Sequence, residues 1–207
     1  MALLRYLSHP QVRIDPVIPV PDWSLSDEGR ARVEALRDAP WLGATTAIIS
    51  SAEVKARETA ALIAAMLDVI PASDAALNEI DRSATGYLSH DRHEKLADAF
   101  FAHPEDSIEG WERASNVQAR GLSAIRRHVA SHRQGDLLIV GHGGIGTLIW
   151  CALSGTDPRG RPDQPPGGGA VWAARLADLV PVHGWQAMER LRADDSAARP
   201  PETRPKA

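Results

Sequence analysis

The stretch LLIVGHGGIGTLI, residues 137–149, decides how the whole chain is read. Gly141, Gly143 and Gly146 spell G-x-G-x-x-G between an apolar run and a helix-forming segment, which is the spacing of a dinucleotide-binding turn. His142 stands in the middle of it, where a turn that cradles pyrophosphate has no use for an imidazole. The dinucleotide reading also demands a second strand ending in an acid about 20 residues further on. That position holds RPDQPPGGG (161–169), whose prolines and glycines exclude a strand. Only about 60 residues remain after the turn, too few for the rest of a nucleotide-binding half and a substrate domain. The other reading is that DLLIVG (136–141) is a buried strand whose carboxyl end presents His142, with a helix running on to about Leu153.

Outward from this segment, short apolar runs alternate with longer periodic ones, the pattern of an α/β fold. ALLRYLS (2–8) reads as a first strand, followed by a loop carrying Pro10, Pro16, Pro19 and Pro21. SDEGRARVEALRD (26–38) reads as a helix capped by Ser26, with Asp27 and Glu28 at the positive end of its dipole. TTAIIS (45–50) is a second strand, and Ser50 with Glu53 has capping-box spacing for the helix that follows. Leu62, Ile63, Met66 and Leu67 supply that helix with a buried face. A short strand is expected just before Glu79. Helices are expected near 90–102 and 108–131, with Gln118 interrupting the apolar stripe of the second. AVWAARLAD and VHGWQAMERL read as two late edge strands, paired with each other. Together these predict a three-layer αβα sandwich around a mostly parallel sheet over residues 1–191. The tail 192–207 has no apolar residue beyond alanine and is expected to be disordered.

Composition narrows the partners. The chain has 207 residues, 43% of them hydrophobic and 24% charged, as in ordinary soluble domains. A net charge of −4 without a basic stripe argues against nucleic acid. The apolar runs are too short for a bilayer span or a secretory leader, so no membrane association is expected. Cys151, in the apolar segment LIWCAL, reads as a buried packing residue, and a reducing cytoplasm is the expected location.

Parallel sheets of this kind bind ligands outside the carboxyl ends of their strands. Those ends here are Ser8-His9, Ser50-Ser51, the segment reaching Glu79, and Gly141-His142. Lys55 and Arg57 lie in the first turns of a helix whose N-terminus also attracts anions. Two imidazoles, a carboxylate and nearby cations suit a cluster of anionic oxygens such as phosphate. His90 and His93 fall at i, i+3 but have no third ligand close by, so no metal site is expected.

In these residues and their order the chain resembles the histidine phosphatase superfamily, whose members include cofactor-dependent phosphoglycerate mutases. Leu25, Ser26 and Gly29 match one motif. Ser51, Ala56, Thr59 and Ala60 in SAEVKARETA match a second, Glu79 in LNE a third, and His142-Gly143 a fourth. The resemblance implies that His9 attacks phosphorus and carries the phosphoryl group, while Glu79, with a raised pKa, protonates the leaving oxygen and then activates water. It implies that His142 and the Gly143 N–H hold the phosphoryl oxygens of a small phosphorylated substrate. No metal and no cofactor are implied. The departures are equally specific. Ser8 and Pro10 flank His9 where the family has arginine and glycine, Lys55 replaces an arginine, and Gly86 is displaced relative to Glu79. Arg13, four residues past His9, is the first candidate to fill the missing arginine's place beside Ser8; Arg57 and Arg82 are further ones. The expected activity is a metal-independent phosphomonoesterase. The alternative is a weak or inactive member that binds a phosphorylated ligand or protein. A mutase is disfavoured, because no long segment presents itself as a lid to shield a phosphohistidine from water.

Overall fold

A computed structural model describes residues 1–191; the tail expected to be disordered lies outside the described residues. Six strands, β1 (Leu3–Ser8), β2 (Thr45–Ser50), β3 (Ala72–Ser73), β4 (Asp136–Gly141), β5 (Ala170–Arg175) and β6 (Pro181–Ala187), make one sheet. Its order is β3-β2-β4-β1-β5-β6. The first four neighbours run parallel, and β5 and β6 join antiparallel to β1 and to each other. The helices are α1 (Asp27–Glu34), α2 (Val54–Leu67), α3 (His90–Ala102), α4 (Ala114–Ser131) and α5 (Gly143–Ser154).

Strand side chains alternate between faces, and in the central strands both faces are apolar. Leu4, Tyr6, Leu137 and Ile139 pack with Val117 and Ile125 of α4 and Leu148 of α5. Leu7, Leu138 and Val140 pack with Val33 of α1 and Ala60 and Ile63 of α2. Helices therefore cover both sides of the sheet, giving the expected sandwich. At the amino end of β1, Arg5 pairs with Asp136, whose other oxygen accepts the Leu3 N–H at 2.8 Å. That buried pair registers the two central strands at the end of the sheet away from His9 and His142.

Ser26 caps α1 as expected, accepting the Gly29 N–H at 3.0 Å. Cys151 is buried and free. Gln118 interrupts the stripe of α4 because its amide donates to the Leu148 carbonyl at 2.9 Å and so ties α4 to α5. Three expectations need correction. The capping box of Ser50 and Glu53 does not form. Ser50 still belongs to β2 and pairs with Ser73 at 3.0 Å, while Glu53 itself occupies the N-cap of α2 without a side-chain cap bond. Helix α4 starts at Ala114, not near 108, because Glu109 and Gly110 turn through positive φ (47° and 81°). Finally, β5 is not an edge strand: it lies between β1 and β6, leaving β6 at the edge.

Candidate active site

The glycines of residues 141–146 make room for protein side chains. A Cβ on Gly141 would meet the Tyr6 hydroxyl at 2.1 Å, and one on Gly146 the Tyr6 ring at 2.4 Å. Tyr6, fully buried on β1, accepts the His142 N–H at 3.0 Å and donates to the His142 carbonyl at 3.2 Å. The turn thus hangs His142 from β1 while α5 begins at the next residue.

His9 follows β1 directly, and its N–H donates to the Gly141 carbonyl at 2.9 Å. The two rings meet edge to face with centroids 5.1 Å apart. Pro10 leaves its carbonyl 2.8 Å from His9 Nδ1. A carbonyl only accepts, so Nδ1 carries the proton and Nε2 presents a bare lone pair. Burial, then the neighbouring His142 and Lys55, push the His9 pKa down to about 3, although the Pro10 carbonyl acts the other way. His142 Nε2 lies 2.7 Å from Ser51 Oγ and 3.7 Å from Glu53 Oε1, and its Nδ1 is buried with no partner among the described residues. Burial lowers the His142 pKa, against the opposing pull of Glu53 and Glu79.

Glu79 reaches the same place from the loop after β3. Its carboxylate accepts N–H groups of Gly144 at 3.0 Å, Ile145 at 2.9 Å and Ile80 at 3.1 Å. Burial would raise its pKa, but His142, Arg82 and the first N–H groups of α5 outweigh it and bring it down to about 2. The raised pKa expected for a proton donor is therefore not found. Lys55 is buried on α2, donating to the Val20 carbonyl at 2.8 Å and paired with the Glu53 carboxylate. Glu53 also accepts the Glu79 N–H at 2.7 Å. Beside this cluster opens a cavity of about 720 Å³, walled by Glu53, Glu79, Arg82 and the proline-rich segment 16–21. Neither imidazole lines it.

The sequence profile described as histidine phosphatase superfamily (branch 1) matches residues 15–170. The chain belongs to that superfamily. The match leaves out residues 8–10, where the departures around His9 fall. Among solved structures, the chain is similar to a mycobacterial glucosyl-3-phosphoglycerate phosphatase at 18% identity and TM-score 0.74, covering 90% of this chain and 98% of that one. YhfR of Bacillus stearothermophilus is similar at 21% identity and TM-score 0.71, covering 94% and 98%. TTHB049 of Thermus thermophilus follows at 22% and 0.61, covering 89% and 99%. No curated protein sequence matched the chain. At these identities the structural likeness speaks for the histidine phosphatase fold.

The structure brings His9, His142, Glu79 and Lys55 of this superfamily member together. Gly143 is the first residue of α5, with the Gln164 side chain packed against it: a Cβ there would meet Gln164 Nε2 at 2.4 Å. Ser8 is turned away, its hydroxyl exchanging hydrogen bonds with the Ala170 backbone at 3.1 and 3.3 Å. Arg13 is exposed and does not line the cavity, and Arg57 lies exposed over a separate depression beside Ser73. Arg82 does line the cavity, its guanidinium 5.5 Å from the Trp111 ring. From the sequence Glu53 reads only as a helix-capping residue, and Tyr6 and Arg120 carry no signal of a place at the site. The Arg120 guanidinium donates to the carbonyls of Ala76, Asn78 and Glu79 at 2.7–2.9 Å and grips both Glu112 oxygens, fixing the loop that carries Glu79.

Proposed function

We propose that the chain is a phosphomonoesterase that works through a phosphohistidine on His9. The observation that carries this reading is the Pro10 carbonyl 2.8 Å from His9 Nδ1, which leaves Nε2 unprotonated beside His142. In-line attack by Nε2 on phosphorus forms the N–P bond as the ester P–O bond breaks. His142 Nδ1, the Gly143 N–H and Arg82 offer donors for the phosphoryl oxygens. Lys55 contributes less than a free cation, because Glu53 already pairs with it. Glu79 starts ionised. A phosphoryl dianion beside it raises its pKa, so a substrate that arrives as the monoanion brings the proton that Glu79 passes to the leaving oxygen. Glu79 then takes a proton from the water that breaks the N–P bond. The sequence calls on no metal or cofactor. One of the similar mycobacterial structures contains inorganic phosphate. The lone cysteine, Cys151, is buried and unpaired, in keeping with a reducing cytoplasm.

A second reading draws on the buried Glu53–Lys55 pair: with its cation neutralised and no arginine before His9, the site binds a phosphorylated ligand without turning it over. Hydrolysis of an aryl phosphate by the wild type and by His9→Ala separates the two. The enzyme reading expects a loss of at least a hundredfold on substitution, and an acid-labile phosphoryl label on quenched wild type. Equal rates in both proteins, or a label that is absent or acid-stable, would leave the binding reading.

A further inference from the structure

We propose that the substrate is the phosphomonoester of a bulky, apolar alcohol that carries no second anionic group. This rests on the phosphomonoesterase reading and names what that site takes.

The first observation is how the cations beside the cavity are already used. Lys55 is committed to Glu53. Arg120 holds both oxygens of Glu112 at 2.9 Å. Arg82 lines the cavity and makes no direct ion pair with a carboxylate among the described residues, although its charge acts on Glu79. That leaves one guanidinium for one phosphoryl group. A second anion on the substrate, carboxylate or phosphate, would find no free cation on these walls and would face Asp81 and Glu79, which also line them. Like charges held several ångström apart near a protein surface discriminate by roughly tenfold or more.

The second observation is independent of charge. Of the seven exposed large hydrophobic side chains among the described residues, four (Ile14, Val17, Ile18 and Tyr87) border this one opening. Val17 is 92% exposed. Val17, Ile18 and Tyr87 line the main cavity, and Ile14 joins Tyr87 in an adjoining depression of about 230 Å³. Scattered apolar residues need no explanation, but a cluster around the mouth of a pocket marks a binding surface. A cavity of about 720 Å³ is in the range that encloses a ring-sized ligand, and Ile80 and Val20 continue its apolar wall inward. The apolar rim fits the alcohol portion, while Arg82 and the two imidazoles fit the phosphate.

The test compares 2-naphthyl phosphate with 3-phosphoglycerate. Calorimetry with His9→Ala, which cannot form the intermediate, reads binding alone, and steady-state kinetics of the wild type read kcat/KM. The naphthyl ester should bind at least tenfold tighter and give at least tenfold higher kcat/KM. Val17→Glu, on a side chain 92% exposed, should erase most of that preference, chiefly by raising KM for the naphthyl ester. Asp81→Asn should improve 3-phosphoglycerate severalfold relative to the naphthyl ester. A binding preference without any turnover would overturn the phosphatase reading and leave the ligand class standing. Equal or reversed preference in binding, or no binding of either ester, would overturn the inference whatever the turnover.

Discussion

Glu53 changes what the site can grip. Its side chain and that of Lys55 are each about 5% exposed, and a buried pair of this kind is held together because neither charge can return to water. The carboxylate takes up the charge that Lys55 would otherwise direct at a phosphoryl oxygen. Glu53→Gln removes the competing charge and keeps one acceptor oxygen, enough for the Glu79 N–H that Oε1 accepts but not for the Lys55 ammonium as well. Freeing one charge-assisted contact is worth roughly 1.5–3 kcal/mol, so vanadate or phosphate should inhibit the variant about tenfold more tightly, at the cost of about 1–3 kcal/mol of stability. Weaker inhibition would mean that Lys55 does not reach the anion at all. The sequence could not announce Glu53, because an acid at the start of a helix reads as an ordinary capping residue. That His9, Glu79 and His142 would meet was legible because His9 and His142 directly follow β1 and β4 and Glu79 lies on the loop after β3. Arg13 shows the limit of that logic: four residues of chain separate it from His9, yet the backbone there pairs with Ser24 and leaves its side chain exposed. Arg82, 73 positions from His9, borders the cavity instead.

Tyr6 is the residue that turns β1, β4 and the start of α5 into one unit. Stacked on Trp172 of β5 at 5.1 Å, it fills the space that Gly141 and Gly146 leave open. Gly146→Ala would drive a methyl group into that ring and toward Trp185, which lies 3.0 Å from the new Cβ. Overpacking of this sort costs roughly 1–3 kcal/mol, partly offset by about 1 kcal/mol of helix propensity. The variant should therefore melt several degrees lower and lose activity as His142 shifts; an unchanged melting temperature would show that α5 can slide without consequence. This packing also explains which elements could be read from the chain. The apolar periodicity of β1, β2, β4, α2 and α5 reports burial, and burial is what the sequence pattern encodes. The position of β5 beside β1 depends on hydrogen bonds between residues about 168 apart, Leu3 to Arg175 through Leu7 to Val171. Nothing local to either segment records that pairing. The start of α4 was missed for the opposite reason: Ile108 and Trp111 keep helical spacing, but two positive-φ residues between them break the backbone.

Setting a buried imidazole, a half-buried one and a half-buried carboxylate together at one end of the sheet makes the whole fold sensitive to acid. The His9 pKa stands at about 3 in the folded chain, against 6.5 for an ordinary histidine. As pH falls below 6.5, the unfolded chain takes up a proton that folded His9 refuses, so stability declines by up to about 1.4 kcal/mol per pH unit until the folded value is approached. His142 is shifted in the same direction and adds to the slope. Glu79, at about 2 in place of 4.5, behaves alike in a lower window: its contribution is complete above pH 4.5 and is lost between 4.5 and 2. Histidine therefore governs the first loss and carboxylate the second. Urea unfolding followed from pH 7.5 to pH 4.5 should show a falling midpoint for the wild type and a shallower fall for His9→Asn. That side chain has no charge to gain and can still donate to the Pro10 carbonyl. Superimposable curves for the two proteins would mean that His9 accepts its proton in the folded state, and a nucleophile already protonated near pH 6 could not sustain the chemistry assigned to it.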